Sequence, residues 1–432
     1  MSEKDILRVL AEQQEETVSR SAEEWCSRVE ESLFGINSPL AQVVIGVRRS
    51  GKSTLCHKVL LQNGIKYGYV NCDDDRLLGM RTSDLDIVLG CIYQLYGQDL
   101  KYIFLDEIQN VDGWHLFVNR LLRNGMRVFV TGSNARLLSS ELATHLTGRY
   151  NEIRLYPFSF AEYCSFTHVD VKGITTKAEA ARKAALTKYL FEGGFPELSN
   201  IGNKRAYVQG LVEAVITKDI KQRYRLRNVE ALRMIAHHLI NNTCHEINYE
   251  ELAGAVGVNS ATTAKKYVGY LSQAFLIQQV QKLSFKSRER MRASKGYVVD
   301  TGLIANRDNA LIQENYGWRL ENVVYIELLR RAAPLFRDIY YYKPSSRGKE
   351  VDFAVCEQGR VKQLIQVAYY IDSPKTFMRE VEALVCASEA LRCNDLYLIS
   401  FSPGRDETIN GKTIHICQAV DWLLDNSDTE VF

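Results

Sequence analysis

A glycine-rich loop of fixed spacing constrains the fold of this chain more than any other feature. Residues 46–53 read GVRRSGKS and match the pattern G-x-x-x-x-G-K-[ST]. The apolar run Gln42–Ile45 precedes the loop, and a helix opened by Thr54-Leu55 follows it. A loop in this setting turns backbone N–H groups and a helix N-terminus toward phosphate oxygens. We therefore expect a phosphate-binding loop within an α/β domain, and not a chance match in a glycine-containing turn.

Short apolar runs alternate with helical stretches around this loop. The runs are Gln42–Val47, Tyr67–Asn71, Lys101–Leu105, Arg127–Thr131 and Glu152–Leu155. Runs that are apolar throughout are typical of a parallel sheet covered on both faces. The pattern predicts a five-stranded parallel sheet over residues 41–157, preceded by amphipathic helical segments in residues 1–40 in which Ile6, Leu7 and Leu10 repeat at helical spacing.

Two adjacent carboxylates follow the strand Tyr102–Leu105 and supply the second half of a nucleotide site. We expect Asp106 to lie in the Mg²⁺ shell with the Ser53 hydroxyl, and Glu107 to polarise the attacking water. Lys52 is expected to reach the β and γ phosphate oxygens of ATP. The residues predicted to bind the nucleotide are Gly46, Val47, Arg48, Arg49, Ser50, Gly51, Lys52, Ser53 and Thr54.

Two further polar residues follow in the same part of the chain. Asn134 comes after the strand ending at Thr131, beside the acid pair if the sheet is parallel, and is predicted to position the water. Arg149 stands just before the last strand of this domain, where the alternative is an ordinary surface salt bridge.

Several segments together resemble the AAA-type ATPases of bacteria and archaea that carry a C-terminal domain of unknown function with a restriction-endonuclease-like core. They are VVIGVRRSGKSTL, YIFLDEIQNVDGW, VFVTGSNARLLSSELATHLTGRY, LYPFSFAEY and EGGFPE. The resemblance implies that Gly46–Ser53 is Walker A, that Asp106 and Glu107 are Walker B, and that Asn134 is sensor 1. It also implies that Arg149 is an arginine finger, which acts on a neighbour's nucleotide, so we expect a homo-oligomer. By the same resemblance Asn71 is a candidate switch residue that holds Glu107 inactive.

Beyond the sheet domain, residues 158–225 are expected to form a helical lid or linker, and residues 226–310 a winged helix. Helical patterns at Val229–Asn241, Tyr249–Val256 and Ser260–Ala274 precede two apolar strand-like runs. A basic stretch between the two strands is a candidate DNA-binding wing, with Lys282, Lys286, Arg288, Arg290, Arg292 and Lys295. The second helix of the pair presents Ser260, Thr262, Thr263, Lys265 and Lys266 as candidate groove contacts. The alternative is that the winged helix docks an unknown protein partner.

Residues 311–432 are predicted to form an α/β domain that is nuclease-like in fold but degenerate in chemistry. By the family resemblance, an acid on a helix, an aspartate at a strand end and an E-x-K triplet gather around Mg²⁺. Glu321 and Asp352 match the first two parts, whereas Gln366 and Ala368 replace the acid and the lysine of the third. We therefore expect no DNA cleavage.

Composition excludes several other classes. Lys and Arg number 54 against 52 Asp and Glu, so any attraction to nucleic acid must be local. The 10 cysteines form no C-x-x-C pair, the first residues lack a signal-peptide pattern, and no apolar run reaches bilayer length, which together predict a cytoplasmic protein without a membrane span. We expect a Mg²⁺-dependent ATPase that couples hydrolysis to its appended domains. The alternatives are an ATP-gated nuclease and a nucleotide-dependent regulator that binds protein.

Overall fold

The computed structural model describes residues 1–20, 25–132, 146, 148–284, 293–305, 315–344 and 348–425. The chain divides into two compact units, Met1–Tyr156 and Pro157–Phe432. No helix in the described ranges is both long enough and apolar enough to cross a membrane.

The first unit is built on a five-stranded parallel sheet, which confirms the sequence prediction. Its strands are β1 (Ala41–Ile45), β2 (Tyr67–Asn71), β3 (Tyr102–Asp106), β4 (Arg127–Gly132) and β5 (Tyr150–Arg154), in the order β2-β3-β4-β1-β5. Its helices are α1 (Glu3–Arg20), α2 (Lys52–Gln62), α3 (Leu85–Tyr96) and α4 (Trp114–Arg123). The interior strand β1 is buried along its whole length, as expected for a strand covered on both faces.

Aromatic and aliphatic side chains from the sheet and α2 fill the core of this unit. Phe34 stacks on Phe129 with ring centroids 5.8 Å apart, and Val44, Leu55 and Phe104 pack in the same cluster. The N-terminal helix α1 buries Ile6, Val9 and Leu10. Of the three residues that the spacing predicted on its apolar face, Ile6 and Leu10 are buried and Leu7 is partly buried.

The second unit contains ten α-helices of four or more residues in its described residues, and a nine-stranded sheet. The helices are α5 (Phe160–Phe166), α6 (Thr176–Glu192), α7 (Lys204–Ala214), α8 (Val229–Asn241), α9 (Tyr249–Val256), α10 (Ala261–Gln273), α11 (Gly302–Ala305), α12 (Tyr316–Ala332), α13 (Pro374–Leu391) and α14 (Ala419–Leu424). A π-helical stretch, Val215–Lys221, and the single turn Gln222–Tyr224 continue α7.

The nine strands of the second unit come from both of its predicted parts. They are β6 (His245–Glu246), β7 (Ile277–Lys282), β8 (Ser294–Val298), β9 (Asp338–Tyr342), β10 (Val351–Glu357), β11 (Arg360–Val367), β12 (Leu396–Ser400), β13 (Arg405–Ile409) and β14 (Lys412–Gln418). Their order is β13-β14-β12-β11-β10-β9-β7-β8-β6. Parallel pairing of β7 with β9, at Gln281 opposite Tyr340, joins the two parts into one sheet. The expected boundary near residue 310 therefore does not coincide with a break in the sheet.

Local signals explain the helix pair α9 and α10. The Asn248 side chain accepts hydrogen bonds from two backbone N–H groups at the start of α9, and Ser260 caps α10 in the same way. Gly257 ends α9 with φ of +68°, a conformation that glycine adopts without strain. The turn between the helices thus follows from its own residues.

Two segments quoted for the family resemblance meet in the second unit. The Phe158 N–H donates to the Gly194 carbonyl at 2.7 Å, and a Cβ on Gly194 would lie 2.2 Å from the Phe158 carbonyl oxygen. The Gly194 and Gly302 N–H groups in turn donate to the buried carboxylate of Asp300 at 2.7 and 2.8 Å. Only glycine fits this close approach of three chain segments.

Candidate active site

The phosphate loop connects β1 to α2 at the carboxyl edge of the sheet. Gly46 lies so close to the end of β5 that a Cβ would stand 2.1 Å from the carbonyl oxygen of Leu155, the residue after this strand. Gly51 has φ of +93° and Arg49 has φ of +69°, so the loop makes two left-handed turns before α2 begins at Lys52. Glycine at Gly46 and Gly51 is required by contact and by backbone angle respectively.

The remaining loop side chains differ in exposure. Val47 and Ser50 are buried, Arg48 is partly buried with its guanidinium 4.0 Å from Asp73, and Arg49 and Thr54 are exposed.

Lys52 brings its ammonium group into the middle of the site. It is only 5% exposed, its Nζ donates to the Val47 carbonyl at 3.1 Å, and the same atom lies 3.9 Å from Glu107 Oε1. The positive charge that the sequence assigned to phosphate therefore faces the loop and the second acid of the pair.

Asp106 is buried and held by three hydroxyl groups. Ser53 Oγ donates to Asp106 Oδ1 at 2.9 Å, Thr131 donates to the same oxygen, and Tyr69 donates to Oδ2 at 3.1 Å. Burial, followed by the negative charge of Glu107, raises the pKa of Asp106, and the hydroxyl donors offset only part of the rise. Thr131 and Tyr69 were not singled out from the sequence.

Glu107 adopts a left-handed backbone conformation, with φ of +50°. Its N–H donates to Thr131 Oγ1 at 3.1 Å, and its Oε2 accepts a hydrogen bond from the Gln109 amide. Gln109 is 4% exposed, so this donor is held by packing. The Asn71 side chain, the switch candidate, instead accepts from the Asp73 N–H at 2.9 Å.

The donor set at Ser53 and Asp106 fits a magnesium ion. A hydroxyl and a carboxylate oxygen lie 2.9 Å apart at the end of two neighbouring elements. Mg²⁺ prefers such hard oxygen ligands and is commonly held by one or two protein groups together with phosphate oxygens and water. These two side chains are therefore suited to hold it.

Two buried polar side chains from the N-terminal segments hydrogen-bond the backbone near the site. Arg28 donates to the Tyr156 carbonyl at 2.6 Å and to the Ser50 carbonyl at 3.3 Å, so it ties the phosphate loop to the end of the unit. Gln13 of α1 hydrogen-bonds both backbone groups of Asn71, the residue paired with Asp106 across the sheet. Both residues escaped the sequence analysis because nothing local marks a polar side chain as buried.

The other two predicted catalytic residues are placed less fully. Arg149 is exposed immediately before β5, and its carbonyl accepts from the Ala41 N–H at 3.0 Å. Asn134 lies outside the described residues, in the segment that follows β4.

In the second unit, the structure corrects the prediction for one of the basic wing residues. Lys295 does not lie at an exposed hairpin tip: it is in strand β8 and only 4% exposed. Strand pairing on both sides of β8 and the packing of α12 bury it. Lys282 is partly buried at the end of β7. The remaining four, Lys286, Arg288, Arg290 and Arg292, lie outside the described residues.

Lys295 is surrounded by the carboxylates of the predicted degenerate nuclease centre. Its Nζ lies 3.4 Å from Glu321 and 3.8 Å from Asp352, and it forms an ion pair with Glu350. Burial alone would lower the pKa of Lys295, but the three carboxylates outweigh it and raise the pKa above its usual range. The lysine is therefore charged.

Gln366, which replaces an acid of the nuclease pattern, is part of the same network. Its amide nitrogen donates to Glu380 at 2.7 Å, and its oxygen accepts from the Asp352 N–H at 3.3 Å. A cavity of about 540 Å³ borders this network and is lined by Glu321, Glu350, Asp352, Gln366, Ala368 and Glu380, among others. Glu350 and Glu380 were not assigned roles from the sequence.

A family model matches most of the first unit. The family model described as an AAA domain matches residues 38–164, and a model described as a domain of unknown function (DUF8612) matches residues 183–311. Among solved structures, a Walker-type ATPase of Pyrococcus abyssi is 16% identical, with a TM-score of 0.40, covering 63% of this chain and 93% of that one. The RuvB Holliday junction branch migration motor of Thermotoga maritima is 15% identical, with a TM-score of 0.28, covering 56% and 82%.

Two uncharacterized proteins share most of their length with this chain. One, from Methanocaldococcus jannaschii, is 31% identical over 369 residues, which are 83% of this chain and 80% of the relative. The other, from Haemophilus influenzae, is 30% identical over 402 residues, which are 89% and 94% of the two chains. The chain therefore belongs to one family with these two relatives, and its residues 38–164 match the AAA domain model.

Proposed function

We propose that this chain is a Mg²⁺-dependent ATPase whose active site lies at the carboxyl edge of the five-stranded sheet. One observation carries the proposal: Ser53 at the end of the phosphate loop donates to Asp106 at 2.9 Å, and Lys52 lies 3.9 Å from Glu107. Two motifs that are separate in the sequence thus share one site, with a cation, a metal-binding pair and a base.

Each group has a distinct task in this proposal. The loop N–H groups and Lys52 bind the phosphates. Ser53 and Asp106 would hold Mg²⁺, which would supply positive charge to balance that of the phosphates. Glu107 accepts the proton of the attacking water. Gln109 and Thr131 fix the orientation of Glu107. Gln109 donates to the Glu107 carboxylate, and the Thr131 hydroxyl accepts from the Glu107 N–H.

Substitutions in the two motifs test the proposal by separating binding from turnover. Lys52→Ala should lose ATP binding because it removes the phosphate cation, whereas Lys66→Ala, an exposed lysine of the same unit, should bind as the parent does. Calorimetric titration with ATP measures both. Equal ATP affinity of the Lys52→Ala and parent proteins would contradict the assignment.

We propose further that hydrolysis is coupled to the second unit, and that the helix pair α9 and α10 contacts DNA. Thr262, Lys265 and Lys266 are exposed on α10 and support this proposal. Lys295 is buried and is therefore not an exposed cation of the predicted wing, which favours α10 as the element that contacts DNA. The second candidate function is a nucleotide-dependent regulator that binds a protein partner on this surface. In that case Lys265 and Lys266 do not contact phosphate groups.

Salt-dependent DNA binding distinguishes the two candidates. Replacing Lys265 and Lys266 by Ala should weaken duplex binding for all sequences and reduce the salt slope by about 2, since each lost phosphate contact removes about 1. The matched control replaces two exposed lysines far along the chain, Lys362 and Lys375. If neither pair changes DNA affinity in an anisotropy titration, the protein-docking function is favoured.

A further inference from the structure

The carboxylate cluster of the second unit is built around an ammonium group. Lys295 Nζ lies 3.4 Å from Glu321 Oε1 and 3.8 Å from Asp352 Oδ1, and it contacts Glu350 Oε1. These three acids come from α12, from β10 and from the residue before β10, whereas Lys295 comes from β8. Three chain segments thus meet at one buried cation: β8, α12 and the start of β10.

We propose that Lys295 is the resident cation of this cluster, so that an ammonium group stands where a nuclease-like centre would hold a divalent ion. The cluster then acts as a clasp that ties β8 to α12 and β10. It does not cleave phosphodiesters. The inference concerns the second unit and is independent of the proposed ATPase activity.

The remaining contacts of the carboxylates support this assignment. Glu321 accepts a hydrogen bond from Tyr297 at 2.7 Å, and Asp352 Oδ2 accepts from the Val367 N–H at 2.9 Å. Lys343 lies 3.2 Å from the second oxygen of Glu350. Each acid therefore has a protein donor in addition to Lys295.

Distance and charge also separate an ammonium site from a metal site. Metal–oxygen bonds to Mg²⁺ are about 2.0–2.1 Å and those to Ca²⁺ about 2.3–2.6 Å. The spread of the Glu321 and Asp352 oxygens around Nζ is that of ion pairs, and a divalent ion placed among the same oxygens would be repelled by the buried ammonium. Among the described residues, no group of three Asp, Glu, His or Cys side chains is arranged to hold a metal ion.

The amide of Gln366 completes the arrangement. It donates to Glu380 at 2.7 Å and accepts from the Asp352 N–H, so a neutral side chain stands between two acids. An acid at this position would add negative charge directly beside Glu380 and Asp352. The replacement of an acid by Gln366 and the burial of Lys295 are therefore consistent with one another.

Manganese binding to the full chain tests the proposal. We would measure free Mn²⁺ by electron paramagnetic resonance in chains that carry Asp106→Asn, which removes the metal ligand of the first unit. Four proteins are compared: this parent, Lys295→Met, the parent with Glu350→Gln and Asp352→Asn, and all of these substitutions together.

The parent and the parent with Glu350→Gln and Asp352→Asn should bind the same amount of Mn²⁺, because the cluster of the parent holds none. Lys295→Met, which keeps the volume but not the charge, should gain one Mn²⁺ at least tenfold tighter than the parent, and the combined variant should lose it again. A parent Mn²⁺ site that disappears with Glu350→Gln and Asp352→Asn would overturn the proposal, as would a folded Lys295→Met protein that gains none. If Lys295→Met does not fold, the comparison of the parent with the Glu350→Gln, Asp352→Asn protein decides alone.

Discussion

Gln13→Ala should destabilise the first unit. The Gln13 side chain hydrogen-bonds the backbone of Asn71, which pairs with Asp106 in the sheet, although Gln13 lies far from both in sequence. The Gln13 side chain is 2% exposed, accepts from the Asn71 N–H at 3.0 Å, and donates to the Asn71 carbonyl at 3.3 Å and to Asp74 at 3.1 Å. Removing it leaves a backbone N–H and a C=O of β2 without these partners.

The magnitude follows from the cost of unmade hydrogen bonds. A buried polar group that loses its partner costs about 1–3 kcal/mol. Asn71 is only partly buried, so water recovers some of that loss, and we expect the free energy of unfolding to fall by about 2 kcal/mol.

Gln14→Ala is the matched control for this prediction. Gln14 is the next residue of α1 and is partly exposed. Because both substitutions change Gln to Ala within one helix, the difference in helix propensity cancels. Gln14→Ala should change the stability by less than about 0.5 kcal/mol.

Urea denaturation combined with pulsed hydrogen exchange is the appropriate assay, since the chain has two units and need not unfold in one step. Peptides covering β2 and β3 report the first unit separately. Equal midpoints for Gln13→Ala and Gln14→Ala would refute the reasoning that α1 secures the end of β2.

The remaining predictions concern catalysis and pH. Gln109→Ala should lower kcat more than it raises KM, since Gln109 orients Glu107 without belonging to the phosphate loop. A rise in KM with kcat unchanged would argue against this role. Arg149→Ala should bind ATP yet hydrolyse slowly, and mixing it with Lys52→Ala subunits should restore turnover if the arginine acts across subunits; no rescue would count against a shared site. Burial raises the pKa of Asp300 to about 6, so its contribution of about 3 kcal/mol is complete below pH 4 and is lost as pH rises through 6. The free energy of unfolding should therefore fall more steeply with pH across this range in the parent than in the Asp300→Asn protein.

The sequence predicted elements whose signals are local. The helices Val229–Asn241 and Tyr249–Val256 occur with the bounds expected from their sequence pattern. Asn228 caps the first of these helices and Asn248 the second, and such caps can be read from neighbouring residues alone. The five strands of the first unit agree within about two residues for the same reason.

Lys295 shows where local reasoning failed. In the sequence it ends a run of basic residues between two strands, which is typical of an exposed hairpin tip. Its burial arises from the pairing of β7 with β9, which joins segments distant in the chain and brings Glu321 and Asp352 toward β8. Gln13 and Arg28 are similar cases, since their partners are backbone groups far away in sequence. No pattern within a short window encodes such contacts.

Turnover by the Glu107→Gln protein at saturating MgATP tests the central claim most directly. Phosphate release and nucleotide occupancy would be measured on the same samples of the parent and the variant. The parent should hydrolyse ATP, and Glu107→Gln should bind ATP as the parent does while turning over at least about 100-fold more slowly, because only the group that accepts the proton of water is lost. Equal turnover by the two proteins at equal occupancy, or a parent that binds MgATP without hydrolysing it, would contradict the account.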